Sequence, residues 1–224
     1  MKITNIKQQV RRKDRYALYI DDKYSFSLGE LELINSGIKI GRELSKEELD
    51  NLKDTAQVDK LYDRVLNYLA IRPRSEWEIR TYLKNKLNHK PSVYKVAPCK
   101  QEETGHITDA KEMIEKILNK LSNAGLVNDE AFARAWIGNR RLLKLTSKRR
   151  LIQELRQKRL DGGIIDKVLA EDETNELTVL RELVSKKRQQ SRYQDDLKLM
   201  QYLSRQGYNY NDIKAAIYGN SNDA

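Results

Sequence analysis

Cysteine, histidine and proline are scarce in this sequence, and it has no long apolar run. Its single cysteine, Cys99, excludes an intramolecular disulfide. Cys99, His89 and His106 supply three of the four ligands that a structural zinc site usually has, so we expect a polar loop there and no metal or cofactor. No stretch approaches the ~20 apolar residues of a membrane span, and residues 1–10 lack the apolar region of a signal peptide. We therefore expect a cytoplasmic protein that has no membrane partner.

Catalytic motifs are also missing. Residues 37–42 contain two glycines, but the segment is too short for a phosphate-binding loop and lacks its Lys-Ser/Thr pair. The two histidines cannot be assembled into a catalytic triad from the sequence. The acidic residues fall at helix caps and on helix surfaces. We therefore predict a protein that is not an enzyme.

The composition favours exposed, basic helices. Ten glycines and three prolines leave long stretches without helix breakers, and charged residues reach 34% against 39% hydrophobic residues. Lysine and arginine number 43 against 33 acidic residues, which gives a net charge of +10. Such a surplus attracts polyanions, of which nucleic acid is the commonest in a cell. Acidic protein surfaces remain possible partners.

The pattern along the chain predicts a short β segment followed by helices. Residues 15–20 and 23–28 are rich in aromatic residues and flank Asp21 and Asp22, which is typical of a β-hairpin. Ser45 and Glu48 have capping-box spacing and mark a helix start. Apolar stripes of helical period then predict nine helices, at 58–70, 75–87, 109–124, 129–143, 148–158, 162–170, 175–189, 195–206 and 210–218.

A shared spacing relates these helices to one another. From Ser147, apolar residues follow at +4 and +8, a second cap at +14, and apolar residues at +18 and +22; the same order starts at Asp195. Ser75 begins an equivalent unit whose next cap, Asp109, is displaced by an insertion at about 88–108. A repeated cap-to-cap interval is harder to obtain by chance than simple amphipathicity.

The predicted fold is therefore all-α, with three tandem three-helix repeats that stack into an elongated curved body. We place an N-terminal extension with a β-hairpin at residues 1–55, and the repeats at 56–126, 127–172 and 173–224.

Two segments carry a resemblance to a known family. Residues 72–75 (Arg-Pro-Arg-Ser), followed by Glu78, Ile79 and Leu83, and above all residues 125–133 (Gly-Leu-Val-Asn-Asp-Glu-Ala-Phe-Ala) resemble the RecX family. The sequence departs from the family pattern in having Arg159 where a glycine often follows the middle helix. It also has a longer insertion and an N-terminal extension that many short members lack.

The resemblance implies a regulatory function. Proteins of this family lie in the groove of the RecA–DNA filament and restrain recombination, ATP turnover and stimulated repressor cleavage. The resemblance thus implies that the partners are the RecA filament and DNA. Both single- and double-stranded DNA would be bound without sequence preference. In some members the effect differs in degree or direction.

Basic residues are concentrated between 134 and 159, where ten of them face a single acid in sequence, Glu154. A second cluster ends the first helix of the third repeat. A solvated surface is the simpler interpretation of a charge run, but unopposed like charges destabilise a fold, so we favour a polyanion-binding face of DNA or of acidic RecA patches. The predicted binding residues are Arg134, Arg140, Arg141, Lys144, Lys148, Arg149, Arg150, Arg156, Lys158, Arg159, Lys186, Lys187 and Arg188.

The sequence is also compatible with other interpretations. Trp136 holds a repeat core position, whereas Trp77 could either pack or contact a partner. A helix-turn-helix transcription regulator would bind duplex DNA sequence-specifically, and a helical scaffold for an acidic protein would need no nucleic acid. We expect a monomer because the sequence has no long apolar heptad seam.

Overall fold

The computed structural model of the protein describes residues 1–88 and 110–219. His89, Cys99, His106, Asp109 and most of the predicted insertion lie outside the described residues. The chain forms two compact units. The first comprises Met1–Arg74 and the described part of Ile79–Val127, and the second comprises Ser75–Glu78 and the described part of Asn128–Ala224.

A three-stranded antiparallel sheet opens the first unit. Its strands are β1 (Ile3–Gln8), β2 (Arg15–Ile20) and β3 (Lys23–Gly29), in the order β1-β2-β3. The predicted hairpin is β2–β3, and Asp21 and Asp22 have positive φ angles of 46° and 62°, as a two-residue type I′ loop requires. Sequence reasoning missed β1, so the predicted hairpin is in fact a three-stranded sheet.

A buried ionic cluster ties the sheet to the following helix. Arg15 of β2 is only 2% exposed, and its guanidinium pairs with Asp59 at 3.0 Å and with Asp63. Asp59 also accepts a hydrogen bond from the Gly29 amide at 2.9 Å. Burial raises the pKa of Asp59, although the Gly29 and Arg15 contacts act in the opposite direction.

Four helices complete the first unit: α1 (Glu30–Asn35), α2 (Lys46–Ile71), α3 (Glu76–Asn88, whose first turn belongs to the second unit) and α4 (Ala110–Asn123). Ser45 forms the predicted capping box with Glu48. The predicted helix at 58–70 is the C-terminal half of α2, which runs without a break from Lys46. The predicted boundary between 55 and 56 therefore falls inside a helix.

The apolar face of α2 contributes to two cores in succession. Leu49 and Ala56 pack with the buried strand residues of the sheet. Leu61 and Val65 pack instead with the buried faces of α3 and α4, whose residues are Ile79, Leu83, Ile114, Ile117, Leu118 and Leu121. The helical stripe predicted from Val58 onward is the second of these faces.

The second unit contains helices joined by short loops, and no strand occurs among its described residues. They are α5 (Asp129–Lys144), α6 (Lys148–Gln157), α7 (Gly162–Ala170), α8 (Glu176–Arg188), a 3₁₀ turn (Ser191–Tyr193), α9 (Asp196–Arg205) and α10 (Tyr210–Tyr218). The helix breaks predicted near 72–75, 145–147 and 191–195 are present. The 3₁₀ turn was not predicted.

The positions of the predicted spacing fall in equivalent places. Ser147 and Asp195 are N-caps whose side chains accept backbone amides of α6 and α9. The residues at +4 and +8 are fully buried in both cases: Leu151 and Leu155, then Leu199 and Leu203. Asp161 and Asn209 precede α7 and α10, in which Ile165 and Ile213 are buried; the Asp161 side chain accepts the Gly163 amide, whereas the Asn209 side chain makes no capping hydrogen bond. The helical class of the fold is thus confirmed, while the division into four segments stays a prediction.

Within residues 1–88 and 110–219, no helix is both long and apolar enough to cross a membrane.

Candidate functional site

Two buried serines make the same long-range contact. The Ser75 hydroxyl, before α3, donates to the carbonyl oxygen of Lys158 at 3.1 Å, and the Ser147 hydroxyl, before α6, donates to that of Gln206 at 2.7 Å. Lys158 and Gln206 directly follow α6 and α9. Each bond, which we call a serine junction, therefore joins the start of one middle helix to the end of the next.

The residue after each accepting carbonyl has the left-handed conformation. Arg159 has φ 59° and Gly207 has φ 91°. The amide of the residue that follows each of them donates to a carbonyl five residues back at 3.3 Å, from Leu160 to Leu155 and from Tyr208 to Leu203. Both are helix ends of the Schellman type, closed by a buried side chain. The two serine junctions thus share one backbone geometry, with arginine at the left-handed position of one and glycine at that of the other.

The first serine junction fixes the position of Trp77. The Ser75 hydroxyl accepts the Glu78 amide, and the Glu78 carboxylate pairs with the Lys158 ammonium at 2.7 Å. The Glu76 amide donates to the Asp129 carboxylate at 2.8 Å, and burial raises the pKa of Asp129. The first turn of α3 is therefore held at both ends, yet the Trp77 side chain within it is 42% exposed.

Five of the ten basic residues between 134 and 159 are bound to acids. Arg140 pairs with Glu154 at 2.7 Å and covers the ring of Trp136, whose indole N–H donates to the same carboxylate at 2.9 Å. Trp136 also packs against the core, as predicted. The other four are Arg134 with Glu130 and Glu171, Arg141 with Asp172, Arg150 with Glu154, and Lys158 with Glu78.

The pair between Arg141 and Asp172 is the least exposed of these. The two side chains are 10% and 11% exposed, and the guanidinium also donates to the Thr146 carbonyl at 2.7 Å, next to Ser147. Burial raises the pKa of Asp172, but hydrogen bonds from Thr174 and Arg141 outweigh it, so the pKa lies below its ordinary value. Arg141 thus supports the second serine junction from within the fold.

The remaining five basic residues of the run are turned to solvent and make no ion pair with any residue in 1–88 or 110–219. They are Lys144, Lys148, Arg149, Arg156 and Arg159, all exposed. Arg149 and Arg156 lie seven residues apart on α6 and therefore share a face. Together with Arg159 and Trp77 they line an open groove of ≈ 870 Å³, which we call the α6 groove; its other lining residues are Ile152, Gln153 and Gln157.

The second basic cluster, at the end of α8, is mostly engaged locally. Lys186 pairs with Glu182 and Arg188 with Asp196, at 2.7 and 2.6 Å. Lys187 lies over the rings of Tyr193 and Tyr202. Lys186 and Lys187 nevertheless line a second cavity of ≈ 400 Å³ beside Lys144 and Arg150.

Sequence reasoning counted one acid against the basic run because it counted neighbours in sequence. The other acids that pair with the run come from elsewhere in the chain or from the first turn of α5: Glu78, Glu130, Glu171 and Asp172. Trp77, 72 residues before Arg149 in sequence, was not placed beside the basic residues. No local pattern in the sequence places it there, because the contact that brings it beside α6 joins Ser75 to Lys158, 83 positions later in the chain.

Comparisons with known proteins match most parts of the chain. Three family models match: "Regulatory protein RecX N-terminal domain" at residues 1–45, "RecX, first three-helix domain" at 62–87 and "RecX, second three-helix domain" at 128–169. Regulatory protein RecX of Listeria monocytogenes serotype 4a is 33% identical over 171 residues, which cover 76% of this chain and 56% of the relative. That of Bacillus subtilis is 26% identical over 96% of this chain and 75% of the relative.

Two solved structures are also similar. A crystal structure of regulatory protein RecX has a TM-score of 0.69 and 27% identity, covering 96% of this chain and 98% of that one. RecX from Lactobacillus salivarius, at 21% identity and a TM-score of 0.54, matches over 74% of this chain and 96% of its own and supports the fold alone. The chain spans just over half of the length of the Listeria relatives.

Proposed function

Because the chain belongs to the RecX family of regulatory proteins, we propose that it binds the groove of the RecA–DNA filament and inhibits the recombinase, ATPase and coprotease activities of RecA. It acts in the cytoplasm, as a monomer, by occupying a binding surface and not by catalysis. Its roles are in DNA repair, homologous recombination and the SOS response.

The observation that carries this proposal is the exposed half of the basic run. The side chains of Lys144, Lys148, Arg149, Arg156 and Arg159 are exposed and make no ion pair within the described residues, so their charge is available to a polyanion. Contacts from such side chains to phosphates are independent of sequence and weaken as salt rises. A filament offers a continuous row of phosphates and acidic protein surface to such a face.

The five ion-paired residues of the run have a different role in this proposal. Arg140 and Arg141 hold α5 to its neighbours and supply little free charge. Of the thirteen predicted binding residues, we therefore expect the exposed ones of α6 and its flanks to dominate affinity.

The experiment that tests the proposal measures binding to RecA filaments formed on single-stranded DNA with a non-hydrolysable nucleotide. RecA ATPase is followed in parallel. We expect Arg149→Glu/Arg156→Glu to weaken filament binding at least tenfold and to relieve ATPase inhibition, because two phosphate contacts are replaced by repulsion.

The matched control is Lys198→Glu/Lys214→Glu, which changes the net charge equally on exposed lysines of α9 and α10. It should bind filaments nearly as the unmodified protein does. Equal losses of filament affinity in both double variants would show that the effect depends only on net charge. Sequence-specific duplex binding with no effect on RecA would instead favour the helix-turn-helix regulator.

A further inference from the structure

The α6 groove combines an exposed aromatic ring with three arginines. Trp77 lies at the N-terminal turn of α3, and Arg149, Arg156 and Arg159 follow the exposed face of α6 and its end. We propose that this groove binds single-stranded nucleic acid, with a base stacked on the Trp77 indole and the neighbouring phosphates held by the three arginines.

The exposed position of the Trp77 indole is fixed by the contacts of its helical turn. The turn that carries it is fixed by the Ser75–Lys158 hydrogen bond and the Glu78–Lys158 ion pair. Trp77 is 42% exposed and belongs to none of the buried clusters among the described residues. A rigidly mounted aromatic side chain with an open face is the element on which nucleic-acid-binding proteins stack unpaired bases.

The arginines are spaced along the groove. Arg149, Ile152, Gln153 and Arg156 occupy positions i, i+3, i+4 and i+7 of α6, so they form one face. With a rise of 1.5 Å per residue, the distance along the helix from Arg149 to Arg156 is roughly 10 Å. The groove that Trp77 also lines thus has cations at intervals along this face of α6, with Ile152 as an apolar residue between Arg149 and Arg156.

The lining chemistry favours a single strand over other polyanions. Among the described residues, the groove lining includes no Asp or Glu, and Gln153 and Gln157 add amides that can donate to and accept from base edges. An acidic peptide would satisfy the arginines but leave the indole without a partner. A duplex keeps its bases stacked, and opening it for the ring costs several kcal/mol.

Arg159 supplies an independent observation. It has the left-handed backbone conformation, with φ 59°, which an arginine adopts only at an energetic cost, whereas Gly207 stands at the equivalent place of the other junction. The arginine at this position lines the α6 groove and gives it a third cation, which a glycine there would not supply. Stacked against a strand, its guanidinium would close the groove at the end that holds Trp77.

This inference deepens the proposed function and rests on it for the α6 face, but its test contains no RecA. The chain has two tryptophans, Trp77 and Trp136. In the Trp136→Phe variant, Trp77 is the single tryptophan, and we titrate its selectively excited emission with a short oligothymidylate. We expect saturable quenching of its emission, because stacking brings the base into contact with the indole. Unchanged emission with the oligonucleotide bound would overturn the proposal.

The salt dependence of oligothymidylate affinity then distinguishes the contribution of base stacking from that of the phosphate contacts. Trp77→Leu should bind about tenfold more weakly at every salt concentration without changing the slope of log K against log salt. Arg156→Gln should lower that slope by ~0.7, the value of one phosphate contact on a single strand. Lys198→Gln, an equal loss of charge outside the groove, should leave both quantities unchanged.

Trp77→Tyr keeps an aromatic face and should restore most of the affinity that Trp77→Leu loses. Circular dichroism checks that both variants are folded. Wild-type affinity of Trp77→Leu, or equal weakness of both variants, would overturn the stacking role. Equal quenching by polyglutamate or by a duplex would reassign the groove to an acidic protein or to duplex DNA. Loss of filament binding without loss of oligothymidylate binding, or the reverse, separates failure of the RecA proposal from failure of this one.

Discussion

The two serine junctions have the same hydrogen bonds and different side chains. In one, Ser75 donates to the Lys158 carbonyl beside Arg159; in the other, Ser147 donates to the Gln206 carbonyl beside Gly207. The backbone geometry is thus a property of the repeat, set by a serine cap and a Schellman helix end. What differs is the surface, because only the first junction presents an indole and an extra cation.

The glycine of the second junction is required by close approach. A Cβ at Gly207 would lie 2.9 Å from the Ser147 hydroxyl oxygen, closer than van der Waals contact permits. The second junction also has the less exposed ion pair, Arg141 with Asp172, whereas Lys158 and Glu78 are 24% and 10% exposed. The second junction therefore has the closer packing and the less exposed ion pair, whereas the first borders the larger α6 groove.

The largest expected loss of folding stability comes from breaking the ion pair of the second junction, Arg141 with Asp172. Asp172→Ala leaves Arg141, whose side chain is only 10% exposed, without its carboxylate and should lower the free energy of unfolding by about 3 kcal/mol. Urea unfolding followed by tryptophan fluorescence measures it, because both tryptophans belong to the second unit. Glu171→Ala is the matched control, since its pair with Arg134 is exposed and should contribute little. Equal losses of stability in the two variants would contradict the contrast between the less exposed pair and the exposed pair.

The same pair has a defined pH dependence. The pKa of Asp172 is lower in the folded protein than in the unfolded chain, so its stabilising contribution is present above the unfolded pKa of about 4. It is lost as pH falls through the folded pKa. The stability difference between the unmodified protein and Asp172→Asn should therefore shrink below pH ~4 and stay constant from pH ~5 to 7. A difference that grows on acidification would refute this sign.

Gly207→Ala should lower the free energy of unfolding by about 2 kcal/mol. The alanine must adopt a left-handed φ, and its Cβ displaces the Ser147 hydroxyl from the Gln206 carbonyl. Arg159→Gly, the reverse change at the equivalent place, should raise stability by less than 1 kcal/mol. The same urea titration compares the two variants, and a loss in both would show that the junctions are not equivalent.

The smallest difference in stability is expected between the alanine variants of the two serines. Ser75→Ala and Ser147→Ala each remove an N-cap bond and a buried hydrogen bond, and each should cost about 1.5 kcal/mol. Similar losses in thermal or urea unfolding would establish the junction as a repeated device. A neutral Ser75→Ala would restrict the device to Ser147.

Local signals in the sequence predicted the helices and most of their ends. Ser45, Ser147 and Asp195 are caps, and the apolar positions at +4 and +8 are buried because these signals act within a few residues. The strand β1 was missed because six residues of weak alternation carry no turn of their own, and its pairing with β2 is what stabilises it.

The candidate site could be predicted only in part. The basic residues were visible as a run, but which of them are neutralised depends on acids brought in by folding, such as Asp172 for Arg141. The serine junctions connect residues 83 and 59 positions apart, and no local pattern specifies such pairs. For the same reason the exposed ring of Trp77 could not be assigned to the α6 face.

The uninterrupted helix α2 has a consequence for folding. Its first half closes the core of the sheet through Leu49 and Ala56, and its second half closes a helical core through Leu61 and Val65. The two cores therefore share one continuous helix of 26 residues. We therefore expect the sheet and the first helices to open as one unit, and hydrogen exchange along α2 should report a single opening free energy for both cores.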